Sequence, residues 1–393
     1  MREGWVEYKF KDVATVVKGK LPKSKNEDGI GIPYLTANYL RSSQPDYWIE
    51  NLVGAVTAED GDCLILWDGA GAGDLFSAHR GVVSSTMAVV TTHNSKILRE
   101  FLTLFISSKA DYIKETCRGT TVPHVSPDAI ANMELKIPPL PEQKKIVDLI
   151  SSVDSYIEAL QHQLNSAKRS RNAVLHDLLT SVSDDWVEKT LGEITDLVRG
   201  PFGGSLKKEI FVREGFAVYE QQHAIYGDFS TVRYRISSEK FDEMKRFSLV
   251  PGDLIMSCSG TMGKVRIVPK EADPGIINQA LLKIKPKSNL SSDFLYLWMQ
   301  SDDFIRQIEM NSGGGALQNV SSVKMLKGIK LRVPDLLEQE RIIGIISMID
   351  EVIIKTEQAV CEVKNLRSGL LSDLLSGTHE IPNSYDEVLS AVQ

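Results

Sequence analysis

The sequence predicts a mixed α/β (α+β) protein written twice: two globular domains joined by two long antiparallel coiled-coil helices, with an internal pseudo-twofold repeat. Three observations predict it. At 393 residues the chain exceeds the usual size of one domain, so at least two cores are expected. Residues 142–180 recur at a fixed offset of 196, with 13 of 39 positions identical. Within both copies of that segment, apolar residues fall at alternating spacings of four and three.

The repeat extends upstream with drifting offsets. Trp5-Val6-Glu7 matches Trp186-Val187-Glu188 at 181, Gly61-Asp62 matches Gly252-Asp253 at 191, and Val125-Ser126 matches Val320-Ser321 at 195. Drift means insertions and deletions, which loops tolerate and packed helices do not. The chain therefore divides into a variable globular part, 1–141, and a helix, 142–181. A second globular part, 182–337, a second helix, 338–376, and a tail, 377–393, follow.

The first helical seam runs Ile146, Ile150, Val153, Ile157, Leu160, Leu164, Ala167, Val174 and Leu178; the second runs Ile342, Ile346, Ile349, Ile353, Val360, Val363, Leu370 and Leu374. Pro138, Pro139 and Pro141 set the start of the first helix, and Gly377 marks the end of the second. Each rod should be about 58 Å long at the helical rise. The stripe is narrow and its outer face polar, as in Gln161-His162-Gln163, which favours a coiled-coil seam over a helix buried in a bundle.

Arg171 and Arg367 break the apolar seam at the same place in both copies. An unpaired buried guanidinium is costly, so each needs a carboxylate or must reach solvent. With antiparallel rods level at their ends, Arg171 stands beside Asp350 and Arg367 beside Asp154, both at the flank of the seam. The pairs Arg171–Asp350 and Arg367–Asp154 are therefore expected to hold the register.

The globular parts read as short strands between Gly-rich turns: DCLILW at 62–67, STMAVVTT at 85–92 and DLIMSCS at 253–259. One amphipathic helix is expected in each, over Leu98–Thr116 and Asp293–Met310. Polar loops follow, CRGTTVPHVS from Cys117 and NSGGGALQNVS from Asn311.

Composition narrows the function. The net charge of −7 does not by itself suggest a nucleic-acid partner, but basic residues cluster locally at Lys18, Lys20, Lys23 and Lys25 and at Arg199, Lys207 and Lys208. Four scattered cysteines suit a reducing cytoplasmic setting and neither a zinc site nor a disulfide framework. No apolar run approaches the ~20 residues of a membrane span, and the N-terminus lacks a signal-peptide core, so no membrane partner is expected.

A variable domain, a polar loop, and then Pro-Leu-Pro-x-x-Glu-Gln-x-x-Ile opening a long helix, all duplicated, resembles the specificity subunit of type I restriction–modification enzymes. The resemblance covers Trp5 to Leu375; copy two departs from it by reading Pro334-Asp335-Leu336-Leu337-Glu338-Gln339. It implies that the globular parts are target-recognition domains, each reading half of a bipartite site in double-stranded DNA. It also implies that the helices form a spacer docking two methyltransferase subunits, which bring S-adenosylmethionine. Motor–nuclease subunits would complete the complex, and this chain would bind no cofactor itself.

Motifs for chemistry in this chain are weak. The only Pro-Pro, in Ile137-Pro138-Pro139-Leu140, lacks the flanking residues of an adenine methyltransferase motif. Asp68-Gly69-Ala70-Gly71-Ala72-Gly73 misses the dinucleotide-loop spacing and reads as a turn. Asp128, Glu134 and Lys136 resemble a nuclease set, but Val323 and Ile329 replace the carboxylates in copy two. The histidines show no metal spacing. No catalytic or metal site is expected, which leaves a non-catalytic DNA reader, with a coiled-coil adaptor or an autonomous DNA enzyme as the alternatives.

Candidate DNA contacts are polar residues in the loops, because Arg and Lys suit guanine edges and Asn and Gln suit adenine. Copy one offers Lys18, Lys20, Lys23, Asn38, Arg41, His79, Arg80, Arg118, Thr120, Thr121 and His124. Copy two offers Arg199, Lys207, Lys208, Gln221, Gln222, His223, Arg233, Lys264, Gln318 and Asn319.

Overall fold

The computed structural model describes residues 3–119, 121–181, 185–258, 261–311 and 323–382. It forms two compact units, Met1–His162 with Gln358–Gln393, and Gln163–Glu357. These units cut across the five linear segments expected from the repeat. Each long helix gives its first half to the unit of its own globular part and its second half to the other unit.

In the first unit, Val6–Lys9 pairs antiparallel with Glu134–Ile137, so the first strand is tied to the strand that leads into the long helix. A four-stranded antiparallel sheet follows in the order Ala14–Lys18, Met87–Thr92, Cys63–Leu66, Leu75–Ser77. Cys63–Leu66 is buried at every position, which is why it reads as an unbroken apolar run without alternation. A second sheet places Ile32–Leu35 parallel to Gly81–Val83, flanked by Trp48–Ile49 and Thr57–Ala58.

The second unit repeats this topology. Val187–Thr190 pairs with Lys330–Val333. The antiparallel sheet runs Thr195–Arg199, Leu281–Pro286, Leu254–Ser257, Val265–Ile267. In the mixed sheet Phe216–Tyr219 lies parallel to Gly275–Ile277, and an added strand, Phe211–Val212, extends the edge.

Each expected amphipathic helix is two helices. The first breaks at Lys109 into Arg99–Ser108 and Ala110–Glu115; the Lys109 N–H donates to Ile106 at three-residue spacing and ends the α-helical ladder. The second divides into Ser292–Trp298 and Asp302–Asn311, where the Ser301 hydroxyl caps the new helix by accepting from the Phe304 N–H. Phe101, Leu102, Phe105 and Ile106 pack in one core with Ile146, Ile150, Leu371 and Leu374. Phe294, Leu295, Leu297 and Trp298 do the same with Leu175, Ile342 and Ile346.

The long helices span Leu140–Thr180 and Leu336–Ser376, 41 residues each, about 62 Å at the helical rise. They begin two residues before the expected 142 and 338. Copy one starts on prolines, with Pro139 C=O accepting from Glu142 and Gln143. In copy two Asp335 replaces a proline and caps the helix, its carboxylate accepting from the Glu338 N–H at 2.8 Å.

Candidate nucleic-acid interface

In the first unit the Gly-rich turn 68–74 gathers several of the proposed contacts. Lys18 ends its strand with Nζ 2.5 Å from Asp68 Oδ2. Asp68 forms an isolated antiparallel bridge with His124, which bridges in turn to Arg118. At the other end of the turn, Asp74 accepts from Arg41 at 2.7 Å and Lys114 at 2.8 Å. The Lys114 hydrogen bond, with Arg41 adding to it, holds the Asp74 carboxyl below the usual carboxylate range despite some burial. Gly69, Gly71 and Gly73 all have positive φ, so the glycines serve the turn itself. Lys20, Lys23 and Thr121 are exposed. Thr120 lies outside the described residues.

Other candidates stand apart. Asn38 donates to both Asp46 carboxylate oxygens, at 3.1 and 2.9 Å. His79 and Arg80 follow the Ser77 end of the hairpin, where Ser77 pairs with Cys63, whereas Lys18 lies near the Leu66 end. The structure does not bring these two together with Lys18. Arg80 lies 3.9 Å from Glu59. Glu134 and Lys136 are exposed on the ribbon opposite Lys9 and Glu7, a cross-strand charge ladder that accounts for them without chemistry. Among the described residues no group of three or more His, Cys, Asp or Glu could hold a metal ion.

In the second unit Arg199 is half-buried at the end of its strand, and its charge opposes the burial that pushes the Cys258 thiol up to about 11. Lys207, Lys208, Gln222, Arg233 and Lys264 are exposed, with Arg233 4.8 Å from the Tyr234 ring centroid. Gln221, Gln222 and His223 stand on a short helix, Gln221–Tyr226, instead of in a loop. Gln221 Nε2 donates to Thr261 C=O at 3.2 Å.

His223 is a correction to the sequence reading. It is fully buried, with Nδ1 accepting from the Glu220 N–H at 2.9 Å and Nε2 donating to Thr231 C=O at 3.1 Å. Both ring nitrogens are committed to backbone groups, so the side chain caps the helix and is not available to a base. Ser259, Gly260, Gln318 and Asn319 lie outside the described residues.

The rear segments carry two duplicated devices. Arg171 donates through Nε and Nη2 to both oxygens of Asp350, the second at 3.1 Å; Arg367 does the same to Asp154, the second at 2.8 Å. These are the pairs that the register arithmetic gives. Each lies within one unit, and Lys168–Glu357 at 2.6 Å joins Arg171–Asp350 in the second. Partner numbers fall as helix numbers rise, so the segments run antiparallel.

The other device is the glutamine of the Glu-Gln pair. Gln143 is fully buried and spans three backbone groups: it accepts from Leu98 N–H at 2.8 Å and donates to Lys96 C=O at 2.7 Å and Pro138 C=O at 2.8 Å. Gln339 matches it, accepting from Ser291 at 2.8 Å and donating to Asn289 and Pro334, both at 3.0 Å. The neighbouring glutamates diverge. Glu142 accepts from the Trp5 indole at 3.1 Å, while Glu338 pairs with Arg341 at 2.7 Å.

The family model for the type I restriction modification DNA specificity domain matches residues 2–169 and again 183–363. The chain belongs to this family. As a type I specificity protein it is 24% identical to the MjaVIII specificity subunit of Methanocaldococcus jannaschii, across 97% of this chain and 94% of that one. It is 21% identical to the EcoBI specificity subunit of Escherichia coli, across 96% and 86%. The fold matches the S subunit from M. genitalium with a TM-score of 0.56 at 15% identity, covering 96% and 97% of the two chains. A chain from a structure on complex assembly and conformational transition of the type I R-M system gives 0.62 at 17% identity, covering 95% and 98%.

Proposed function

We propose that this type I specificity protein reads a bipartite duplex sequence, one half with each globular part, and carries no catalytic site of its own. The observation that carries the reading is one topology repeated with different loop chemistry. Every sheet strand of the first unit has a counterpart in the second, which adds only Phe211–Val212, while Lys18, Asp68 and His124 face no identical set in the second copy.

Assembly follows from the same duplication. Each unit has an equivalent groove between the terminal ribbon, the paired helices and the end of a long helix, of about 740 Å³ in the first unit and 730 Å³ in the second. Glu7, Lys136, Tyr112 and Leu371 line one; Glu188, Arg332, Gln307 and His176 line the other. Two like grooves suit two copies of one partner, the methyltransferase subunit, which holds S-adenosylmethionine and transfers its methyl group. Motor–nuclease subunits complete the restriction complex in the cytoplasm. Among the described residues no helix is long and apolar enough to cross a membrane.

A shift assay with the reconstituted methyltransferase tests this. A specificity subunit gives strong preference for one bipartite site over scrambled duplex, and an adaptor gives none. Methylation or cleavage by the purified chain alone would favour an autonomous enzyme.

A further inference from the structure

We infer that Leu21 and Phe202 are apolar wedges, one in each recognition domain, that enter the duplex at a base step and unstack it. The inference rests on the DNA-reading function proposed above and adds residues that the polar-contact reasoning passed over.

Both side chains stand in solvent, Leu21 at 80% and Phe202 at 92% exposure. A single exposed apolar residue is ordinary. The same exposure at the same structural position in two diverged domains is not. The equivalence is exact in register: Lys18 lies opposite Ala88 and Arg199 opposite Leu282, and the next residue in each copy is glycine. Gly19 N–H donates to Met87 C=O and Gly200 N–H to Leu281 C=O, both at 2.9 Å.

These glycines press against backbone. A Cβ on Gly19 would stand 2.1 Å from Ser84 O, and one on Gly200 1.8 Å from the equivalent Asn278 O. No larger residue fits, so the segment is pinned to the sheet and projects its apolar side chain two residues later. In the second copy Ser205 N–H closes a turn onto Phe202 C=O at 2.9 Å.

The surroundings select the occupant. Lys20 and Lys23 flank Leu21, and Lys207 and Lys208 follow Phe202, all exposed. Basic residues around an apolar tip suit a polyanion whose interior is apolar and stacked. Inserted between base pairs, such a side chain unstacks the step and kinks the duplex, while the flanking cations meet the phosphates.

The test uses the complex assembled with its methyltransferase subunits and a duplex carrying the site mapped by methylome sequencing. 2-Aminopurine is placed at each position in turn. The parent complex should raise fluorescence at one step in each half other than the methylated base. Phe202→Ala should abolish the rise in one half, Leu21→Ala in the other. Phe202→Ala should weaken binding about 5- to 150-fold, the range for one lost base–aromatic stack. Its salt dependence should not change, because no charge is removed. Leu21→Phe should keep the signal. Parent-like fluorescence and affinity in both alanine variants would overturn the inference, as would impaired assembly with methyltransferase at unchanged fluorescence, which would mark a protein-facing tip. A parent complex without any sequence preference would instead defeat the proposed function itself.

Discussion

Gln143→Leu removes a fully buried amide while nearly keeping its volume, so its effect isolates the three hydrogen bonds. The Pro138 carbonyl is buried with that amide; the Leu98 N–H and Lys96 carbonyl are only partly so. Leaving a buried polar group unsatisfied costs ~1–3 kcal/mol, and the two groups nearer water recover part of theirs. The leucine side chain offsets some of the loss, so the net destabilisation should be about 3 kcal/mol. For a unit of this size that lowers the melting temperature by roughly 6–12 °C. Differential scanning calorimetry reads the melting, and hydrogen exchange should show loss of protection at Leu98. Gln339→Leu should do the same at Ser291 and leave Leu98 protected. A Gln143→Leu protein that melts within 1 °C of the parent (roughly 0.3 kcal/mol), with Leu98 still protected, would refute the clamp. Gln143→Glu adds a pH signature. Burial beside two carbonyls raises the carboxyl pKa above its unfolded value of about 4.3. The neutral acid can still donate to one carbonyl, so stability is greatest below that value and falls as pH rises through the folded pKa.

The seam arginines and the basic loops give further tests. Arg171 is 14% exposed and Asp350 38%, so Arg171→Ala should destabilise the second unit by ~2–3 kcal/mol, below the figure for a fully buried pair. The reversed pair Arg171→Asp with Asp350→Arg should recover most of that in urea unfolding; a double-mutant coupling energy below ~0.5 kcal/mol would mean the pair does not set the register. Lys20→Gln and Lys23→Gln, if they neutralise phosphates, should each reduce the slope of log affinity against log salt by about 0.9 without moving the recognised sequence. An unchanged slope would place these lysines outside the interface.

The helical half of the fold was legible because its signal is local. A seam spaced by fours and threes fixes helix and register together, and the repeated exception at Arg171 and Arg367 located Asp350 and Asp154. Cys63–Leu66 and the Leu254-Ile255-Met256 part of the matching strand were legible as unbroken apolar runs. The breaks at Lys109 and before Asp302 were not, since Ile113 and Phe304 continue the apolar spacing across them and only backbone geometry ends the ladder. Gln143 and Gln339 announced themselves as a repeated motif, but apart from the nearby Pro138 and Pro334 their partners lie 45 to 50 residues away and belong to the tertiary fold. His223 was misplaced because the cluster Glu220-Gln221-Gln222-His223 was read as polar loop. The three-residue spacing from Glu220 is that of a capping box, which was the available signal. Leu21 and Phe202 escaped a search restricted to polar side chains, although the offset of 181 that matches Trp5 with Trp186 also aligns them.

The central claim, that each globular part reads its own half of a bipartite site, is tested most directly by exchanging residues 182–337 for the same region of a relative. That chimera keeps the first long helix and all of the second beyond Leu337, with Gln143, Gln339 and the two Arg–Asp pairs. Methylome sequencing of cells carrying it with the methyltransferase subunits reports the recognised motif. The account predicts one half-site replaced and the other unchanged. Replacement of both halves, or of neither, would contradict it.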